Sequence, residues 1–147
     1  MAHAQQEINA EDRTPLAVER RGRVLVVGLN RQAKRNAIND ETIEALDACF
    51  SSIPSDVGAV VIHGCGPHFC AGLDLSEVAE RDVSEGVFHS RSWHRCFEKI
   101  EFGPVPVVAA LQGAVIGGGL ELAAAEQSVS LKRRRPRLAR CSSARAR

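Results

Sequence analysis

Three consecutive glycines and a glutamate are the residues of this sequence best suited to chemistry. Gly117, Gly118 and Gly119 precede the helix-forming run 120–125, and Glu121 lies one step inside that run. The first turn of a helix has backbone N–H groups without partners, and glycines let a ligand oxygen approach them closely. The segment therefore predicts a corner that stabilises negative charge, with a carboxylate nearby to move a proton.

The spacing of these glycines fits neither common phosphate-binding motif. A dinucleotide fingerprint needs a glycine at the sixth position from Gly117, where Leu122 stands. A P-loop needs lysine and serine or threonine after the glycines, and here Leu120 and Glu121 follow. Because a carboxylate at that place repels phosphate, a transient oxyanion is the favoured ligand. The alternative without chemistry is a glycine-rich helix packed tightly on a sheet.

The elements that must position this corner alternate between strands and helices. Three apolar runs are predicted to form buried strands, at residues 23–30, 58–63 and 105–111. Helical patterns follow them, beginning near Asp40, which we predict as a cap, near Asp74 and at Ser84. This alternation predicts an α/β fold in which the loops after successive parallel strands meet at one edge of the sheet.

The loop after the second strand is expected to face the glycine run. It covers residues 64–75 and contains Gly72 just before Leu73. The amide of Leu73 is then a second donor opposite the amide of Gly118. Two backbone donors that face one oxygen form an oxyanion hole.

Other polar and aromatic groups have simpler interpretations. Asp74 is predicted to cap a helix rather than act as an acid. The apolar positions of the helix through 84–101 are predicted to be core rather than a substrate pocket; they are Phe88, Trp93, Phe97 and Ile100. Zinc-ligand residue types also occur together, at His63, Cys65, His68 and Cys70. Since they lie on one strand end and one turn, no metal site is predicted.

Composition bounds the class of protein. The chain has 147 residues, 44% hydrophobic and 25% charged, which is typical of one soluble domain. No run of eighteen apolar residues occurs, so no membrane span is predicted. An odd number of cysteines, and an N-terminus (Met1–Asp12) without an apolar core, indicate a cytoplasmic protein.

The end of the sequence is strongly basic. Its run Lys132–Arg140 supplies cations for nucleic-acid phosphates, but it has no interleaved aromatic residues and no recognition-fold signature. A solvated tail without a specific nucleic-acid partner is therefore the favoured interpretation.

Three segments resemble, in order and spacing, the enoyl-CoA hydratase/isomerase (crotonase) superfamily. They are Asn30–Ile38, His68–Leu75 and Gly113–Ala123. The resemblance implies a spiral of ββα units that binds acyl-CoA thioesters, with coenzyme A as part of the substrate and no separate cofactor. It places the oxyanion hole at the backbone N–H groups of Leu73 and Gly118, and the first of two catalytic glutamates at Glu121.

The resemblance also implies backbone positions that bind coenzyme A. They are Lys34, Asn36 and Ala37 on the first loop, and Cys70, Ala71 and Leu73 on the second. The expected reaction is the addition of water to a 2-enoyl-CoA, a lyase reaction. The alternatives are isomerase, dehydratase or hydrolase chemistry on the same enolate, a noncatalytic acyl-CoA-binding remnant, or a basic-tailed interaction protein.

The extent of the resemblance defines the expected domains. We expect a disordered leader over residues 1–15, a partial crotonase-like domain over 16–125 and a basic, unrelated, disordered tail over 126–147. The family's second glutamate has no counterpart, so we expect a truncated chain with impaired hydration. The family implies homotrimers or hexamers, but here we expect aggregation or partial order instead. The residues expected to form an exposed apolar patch are Val107, Val108, Leu111, Leu120 and Leu122.

Overall fold

The computed structural model describes residues 14–78, 82–126 and 128–131. Its strands are β1 (Leu16–Arg21), β2 (Val24–Leu29), β3 (Ala59–Gly64), β4 (Val107–Leu111) and β5 (Ser128–Leu131). Its helices are α1 (Asp40–Ser51), α2 (Leu75–Val78), α3 (Val83–Glu101) and α4 (Gly118–Ala124), and a short 3-10 turn, Gln32–Lys34, precedes α1. Most of the expected leader and the tail beyond residue 131 lie outside the described residues.

The strands form one sheet in the order β1-β2-β3-β4-β5. β1 and β2 are antiparallel, whereas β2, β3, β4 and β5 are parallel neighbours. Helices connect each parallel pair, α1 between β2 and β3, α2 and α3 between β3 and β4, and α4 between β4 and β5. The predicted α/β fold is confirmed, and the loops after β2, β3 and β4 lie at one edge of the sheet.

Two strands of the sheet were not anticipated from the sequence. β1 carries Glu19, Arg20 and Arg21, and none of its residues is fully buried because it is an edge strand. β5 lies beyond Ala125, within the segment that the sequence analysis assigned to the basic tail. Neither strand has the continuous apolar run that identified the central strands.

Helix α1 packs an apolar face against the sheet. Ile43, Leu46 and Phe50 are buried, as their helical spacing predicts. The capping residue is Asn39 rather than Asp40, because the Asn39 side chain accepts a hydrogen bond from Thr42 N at 3.1 Å. Asp40 is the first residue of the helix, and its carboxylate is hydrogen-bonded to Nδ1 of His89 on α3.

Helix α3 is buried only in its second half. It begins with a capping box between Asp82 and Glu85, and its buried residues are Trp93, Cys96 and Ile100. The prediction of a core face is confirmed for Trp93 and Ile100 but is wrong for Phe88, which is 72% exposed. The first two turns of α3 contribute no buried residue, so the apolar stripe continues past the part of the helix that packs.

The expected apolar patch on β4 and α4 is also largely wrong. Val107, Leu111 and Leu122 are buried, whereas Leu120 is exposed. β4 lies inside the sheet between β3 and β5, and Leu122 belongs to the core cluster. Within the described parts of the chain, no helix is both long enough and apolar enough to cross a membrane.

Candidate active site

The loops after β2 and β3 are joined side by side at Leu73. Ile38 N donates to Gly72 O at 2.8 Å, and Asp74 N donates to Ile38 O at 2.9 Å. Gly72 and Asp74 thus form their hydrogen bonds on the side that faces Ile38. In a parallel pairing, the residue between them, Leu73, directs its own N–H to the opposite side. The amide of Leu73 therefore faces away from Ile38.

A second short parallel pairing brings the loop after β4 to the same place. Cys70 N donates to Ala114 O at 3.0 Å, and Ile116 N donates to Cys70 O at 3.1 Å. These bonds hold the segment before α4 against the loop after β3. Gly118, the first residue of α4, consequently lies beside Leu73.

The backbone N–H groups of Leu73 and Gly118, hereafter the amide pair, are close together and unpaired. A β-carbon placed on Gly118 would lie 3.7 Å from Leu73 N, and one placed on Gly72 would lie 3.6 Å from Gly118 N. Neither N–H donates to any group in the described residues. Two free donors at this separation are suited to binding one oxygen that carries negative charge.

The glycines of the run are required by close packing and by backbone conformation. A β-carbon on Gly118 would lie 2.8 Å from two ring carbons of Trp93, and one on Gly119 would lie 2.6 Å from Cys70 O. Gly117 has a φ of 50°, in the left-handed region that favours glycine. The glycine run is therefore tightly packed and also leaves the Gly118 N–H available to a ligand. The interpretation as a packing feature and the interpretation as an anion-binding corner are compatible.

Glu121 is an exposed carboxylate in the first turn of α4. Its Oε2 accepts a hydrogen bond from Trp93 Nε1 at 3.2 Å. Trp93 also lies against Gly118, so one indole ring packs on the first residue of α4 and donates to the carboxylate. Glu121 and the amide pair therefore lie together at the start of α4.

A buried asparagine fixes the first loop to the second. Asn36 is 2% exposed, and its Nδ2 donates to Cys65 O at 2.9 Å and to His68 O at 2.8 Å. Its Oδ1 accepts from Arg31 N at 3.0 Å. The left-handed φ of 57° at Asn36 directs the side chain inward, which asparagine tolerates better than most residues. This side chain is therefore structural.

Asp74 connects the same two loops through charge. Its carboxylate accepts from Ser76 Oγ at 2.6 Å and from Arg31 Nη2 at 2.9 Å. The hydrogen bonds from Ser76 and then Arg31 lower the pKa of Asp74 to about 2. It also accepts from Ser76 N at 3.3 Å, so the predicted role as a helix cap is confirmed.

The positions implied to bind coenzyme A lie on these two loops. The N–H groups of Asn36, Ala37, Cys70 and Ala71 all donate to carbonyl oxygens of the chain. The carbonyl oxygens of Ala37 and Cys70 also accept hydrogen bonds, from Arg31 Nη1 and Ile116 N, whereas that of Ala71 accepts none within the described residues. Leu73 differs from these four residues because its N–H has no acceptor within the described residues. Lys34 offers a ligand its side chain, because its exposed ammonium lies on the surface of the first loop, 3.9 Å from Asp74 Oδ1.

The cysteine and histidine positions of the second loop have structural roles. His68 Nδ1 accepts a hydrogen bond from Ala114 N at 3.1 Å. Burial raises the pKa of the Cys70 thiol, which keeps it protonated and unsuited to nucleophilic attack. Among the described residues, no group of three or more histidine, cysteine or acidic side chains is arranged to hold a metal ion.

A second carboxyl group, not anticipated from the sequence, is buried just after α4. Glu126 is 7% exposed, and neither carboxyl oxygen has a hydrogen-bond partner among the residues that the structure describes. Burial raises the pKa of Glu126 to about 9, so its neutral form predominates at pH 7. The sequence gives no signal for this, because Glu126 stands at the start of a polar segment.

The sequence of the chain is similar to that of a known protein family and of its members. The model for enoyl-CoA hydratase/isomerase matches residues 19–132. A short-chain-enoyl-CoA hydratase from Clostridium acetobutylicum is 37% identical over 109 residues, which cover 72% of this chain and 42% of that protein. A mitochondrial Delta(3,5)-Delta(2,4)-dienoyl-CoA isomerase from Rattus norvegicus is 39% identical over 115 residues, covering 69% and 35% respectively.

Solved structures of the same kind share the fold. One is the crystal structure of a Rhodopseudomonas palustris protein that is described as an enoyl-CoA hydratase. It superposes with a TM-score of 0.74 at 54% identity, covering 80% of this chain and 48% of that one. An enoyl-CoA hydratase from Thermoplasma volcanium superposes with a TM-score of 0.77 at 33% identity, with the same coverage.

The α/β sheet and the loops that meet at its edge define a crotonase-fold protein, as the resemblance implied. The chain belongs to the enoyl-CoA hydratase/isomerase family. It spans less than half the length of these relatives.

Proposed function

We propose that the chain binds an acyl-CoA thioester and stabilises its enolate, with addition of water to a 2-enoyl-CoA as the reaction. The observation that carries the proposal is the amide pair, whose two unpaired N–H groups lie beside the carboxylate of Glu121. The family relationship supports the substrate class, because the similar proteins named above are enoyl-CoA hydratases and a dienoyl-CoA isomerase.

The amide pair acts on the thioester carbonyl. When water adds to C3 of a 2-enoyl thioester, the electron pair of the C2–C3 double bond moves toward the carbonyl and leaves negative charge on its oxygen. Hydrogen bonds from Leu73 N–H and Gly118 N–H stabilise this enolate more than the neutral carbonyl, which lowers the barrier. Each such donor contributes roughly 10²–10³ in rate.

Glu121 moves the proton. Its carboxylate accepts a proton from the attacking water as the C3–O bond forms, and the resulting carboxylic acid donates a proton to C2 as the enolate collapses. Water is thereby added across the double bond, with no net change at Glu121. An acid–base residue of this kind contributes about 10²–10⁴ in rate.

Isomerisation is the second candidate. Removal of a carbon-bound proton from an enoyl thioester by Glu121 gives a dienolate, whose oxygen the amide pair stabilises in the same way. Return of that proton to a different carbon gives a shifted double bond without addition of water. The 39% identity to a dienoyl-CoA isomerase favours this alternative, since the identity to the hydratase is similar. The two reactions differ in which carbons face Glu121.

The coenzyme A portion is proposed to bind along the first and second loops. The Lys34 ammonium, with the adjacent exposed Arg35, supplies positive charge for a phosphate group. The carbonyl oxygen of Ala71, which accepts no hydrogen bond within the described residues, suits a donor of a purine amine. We propose no separate cofactor, because the thioester and one carboxylate suffice for the chemistry.

Two assays test the proposal with the chain as it exists. The first follows loss of the conjugated enoyl-thioester absorbance. The second follows exchange of the C2 protons of a saturated acyl-CoA in D₂O by NMR, which requires the amide pair and one carboxylate but no hydration. Glu121→Gln should lower either rate by about 10²–10⁴. The control Glu98→Gln changes an exposed glutamate on α3 and should have no effect.

Each outcome of these assays bears on the choice of function. Loss of absorbance with uptake of water supports hydration, and a product that retains its double bond supports isomerisation. If the chain neither exchanges the C2 protons nor binds the saturated thioester in calorimetry, the proposed acyl-CoA chemistry is wrong.

A further inference from the structure

Trp93 is the single tryptophan of the chain and lies at the centre of the candidate site. It is 5% exposed and belongs to the second, packed half of α3. Its ring lies between those of His89 and Phe97, with centroid distances of 6.0 Å and 4.8 Å. These contacts leave the indole little freedom to change rotamer.

The indole N–H is directed at a carboxylate that otherwise has no fixed orientation. Glu121 is exposed, and its single side-chain hydrogen bond within the described residues comes from Trp93 Nε1. An exposed glutamate samples several rotamers, and each one moves the carboxylate by ångströms. A donor on a rigid ring selects one of them.

The same ring also limits the space beside the amide pair. Two ring carbons of Trp93 would lie 2.8 Å from a β-carbon on Gly118, so the indole is in contact with the glycine backbone itself. Trp93 therefore lies against Gly118, whose amide belongs to the pair, and donates to the carboxylate of Glu121. The separation between the carboxylate and the amide pair depends on where this ring sits.

We propose that Trp93 is a positioning residue that acts through Glu121. By donating to Oε2, it leaves Oε1 free to exchange a proton with the carbon next to the thioester carbonyl. This assignment rests on the proposed function for its chemical consequence, whereas the contact itself can be tested without any substrate.

The first experiment tests the contact by NMR. Because Trp93 is the single tryptophan, the ¹⁵N-labelled chain has one indole N–H resonance. Glu121→Ala should shift this resonance upfield and accelerate its exchange with solvent, since the hydrogen bond to a carboxylate is lost. The matched control Glu41→Ala removes an exposed glutamate of α1 and should leave the resonance in place. An unchanged resonance in Glu121→Ala would overturn the proposal.

The second experiment tests the consequence by kinetics of C2-proton exchange. Trp93→Phe removes the donor but keeps an aromatic ring, and should lower the exchange rate constant about tenfold or more with little change in KM. Phe97→Leu disturbs packing around the ring without removing the donor, and should change the rate less than about threefold. An equal loss in both variants would assign Trp93 to packing alone and overturn the positioning role.

Failure of this inference and failure of the proposed function give different results. A wild-type chain that exchanges C2 protons, with Trp93→Phe exchanging them equally fast, contradicts the inference only. A wild-type chain that neither binds nor exchanges contradicts the proposed function, while the indole resonance still decides whether Trp93 orients Glu121.

Discussion

The amide of Leu73 is the residue-scale feature on which the proposed chemistry depends. Its side chain is not part of the amide pair, so Leu73→Ala should retain most of any thioester turnover. Replacing Leu73 by its α-hydroxy acid analogue, which turns the amide into an ester, should reduce turnover by roughly 10²–10³ because one oxyanion donor disappears. Leu73→Pro removes the same N–H and should have a similar effect.

The measurement for Leu73 is kcat/KM in the C2-proton exchange assay, with folding checked by circular dichroism. The same ester replacement at Leu75, which is exposed at the start of α2, is the control and should be tolerated. Equal rates for the Leu73 ester and Leu73→Ala would exclude this amide from the oxyanion site.

The buried carboxyl group of Glu126 is expected to make the free energy of unfolding fall as the pH rises. Burial raises the pKa of Glu126 from 4.5 to about 9, so the folded chain binds this proton more tightly than the unfolded chain. The stabilisation is fully present below about pH 4.5 and is lost as the pH rises through about 9. Glu126→Gln, which keeps a neutral side chain, should therefore become increasingly more stable than wild type between these limits.

Urea unfolding of both proteins at a series of pH values measures this difference. The exposed Glu98→Gln serves as the control and should show the same pH dependence as wild type. A free-energy difference between Glu126→Gln and wild type that is constant with pH would show that Glu126 is ionised in the folded chain.

The sequence at the start of α4 is constrained by its neighbours. Gly118→Ala places a β-carbon 2.8 Å from the Trp93 ring, so α3 and α4 must move apart or the ring must rotate. We expect a loss of about 1–3 kcal/mol in unfolding free energy, and a larger proportional loss of turnover than of stability.

Gly86 in α3 is the matched control for this substitution. A β-carbon there meets nothing within 4 Å, so Gly86→Ala should stabilise the chain by about 0.5–1 kcal/mol through helix propensity. Thermal unfolding of the two variants measures both effects. If Gly118→Ala is as stable as wild type, the close packing of Trp93 on α4 is wrong.

The whole molecule carries an apolar surface on the first half of α3. Val83, Val87 and Phe88 are exposed, by 85%, 50% and 72%. Exposed apolar side chains that cluster on one helix favour association with another surface. We therefore expect the isolated chain to self-associate, with a mass in light scattering that rises with protein concentration.

Polar substitutions test which surface is responsible. Val83→Ser together with Phe88→Ser should lower the mass toward that of a monomer. Val18→Ser, which changes an exposed apolar residue on β1, should not. A monodisperse monomer at all concentrations in the unsubstituted chain would contradict the prediction.

Much of the fold and part of the site could be predicted from the sequence. The buried elements could be predicted because their patterns are local. A buried strand needs an apolar run, as in β2, β3 and β4, and a helix that packs on one face needs the spacing of Ile43, Leu46 and Phe50, whatever the order of the strands in the sheet. The glycine run and Glu121 are likewise local, since their chemistry follows from residue type and spacing. The position of Leu73 opposite Gly118 was an inference from parallel-strand geometry, and the structure places the two amides side by side.

Only the tertiary structure decided which groups are held, buried or left free. Trp93 was expected to be core, yet its N–H meets Glu121 because α3 crosses the start of α4, a contact between residues far apart in sequence. The strand β5 likewise follows from its pairing with β4 rather than from local composition, and the burial of Glu126 follows from the tertiary structure rather than from its polar sequence neighbours. Phe88 is apolar but exposed, because helical spacing reveals which residues share a face but not where the neighbouring elements stop.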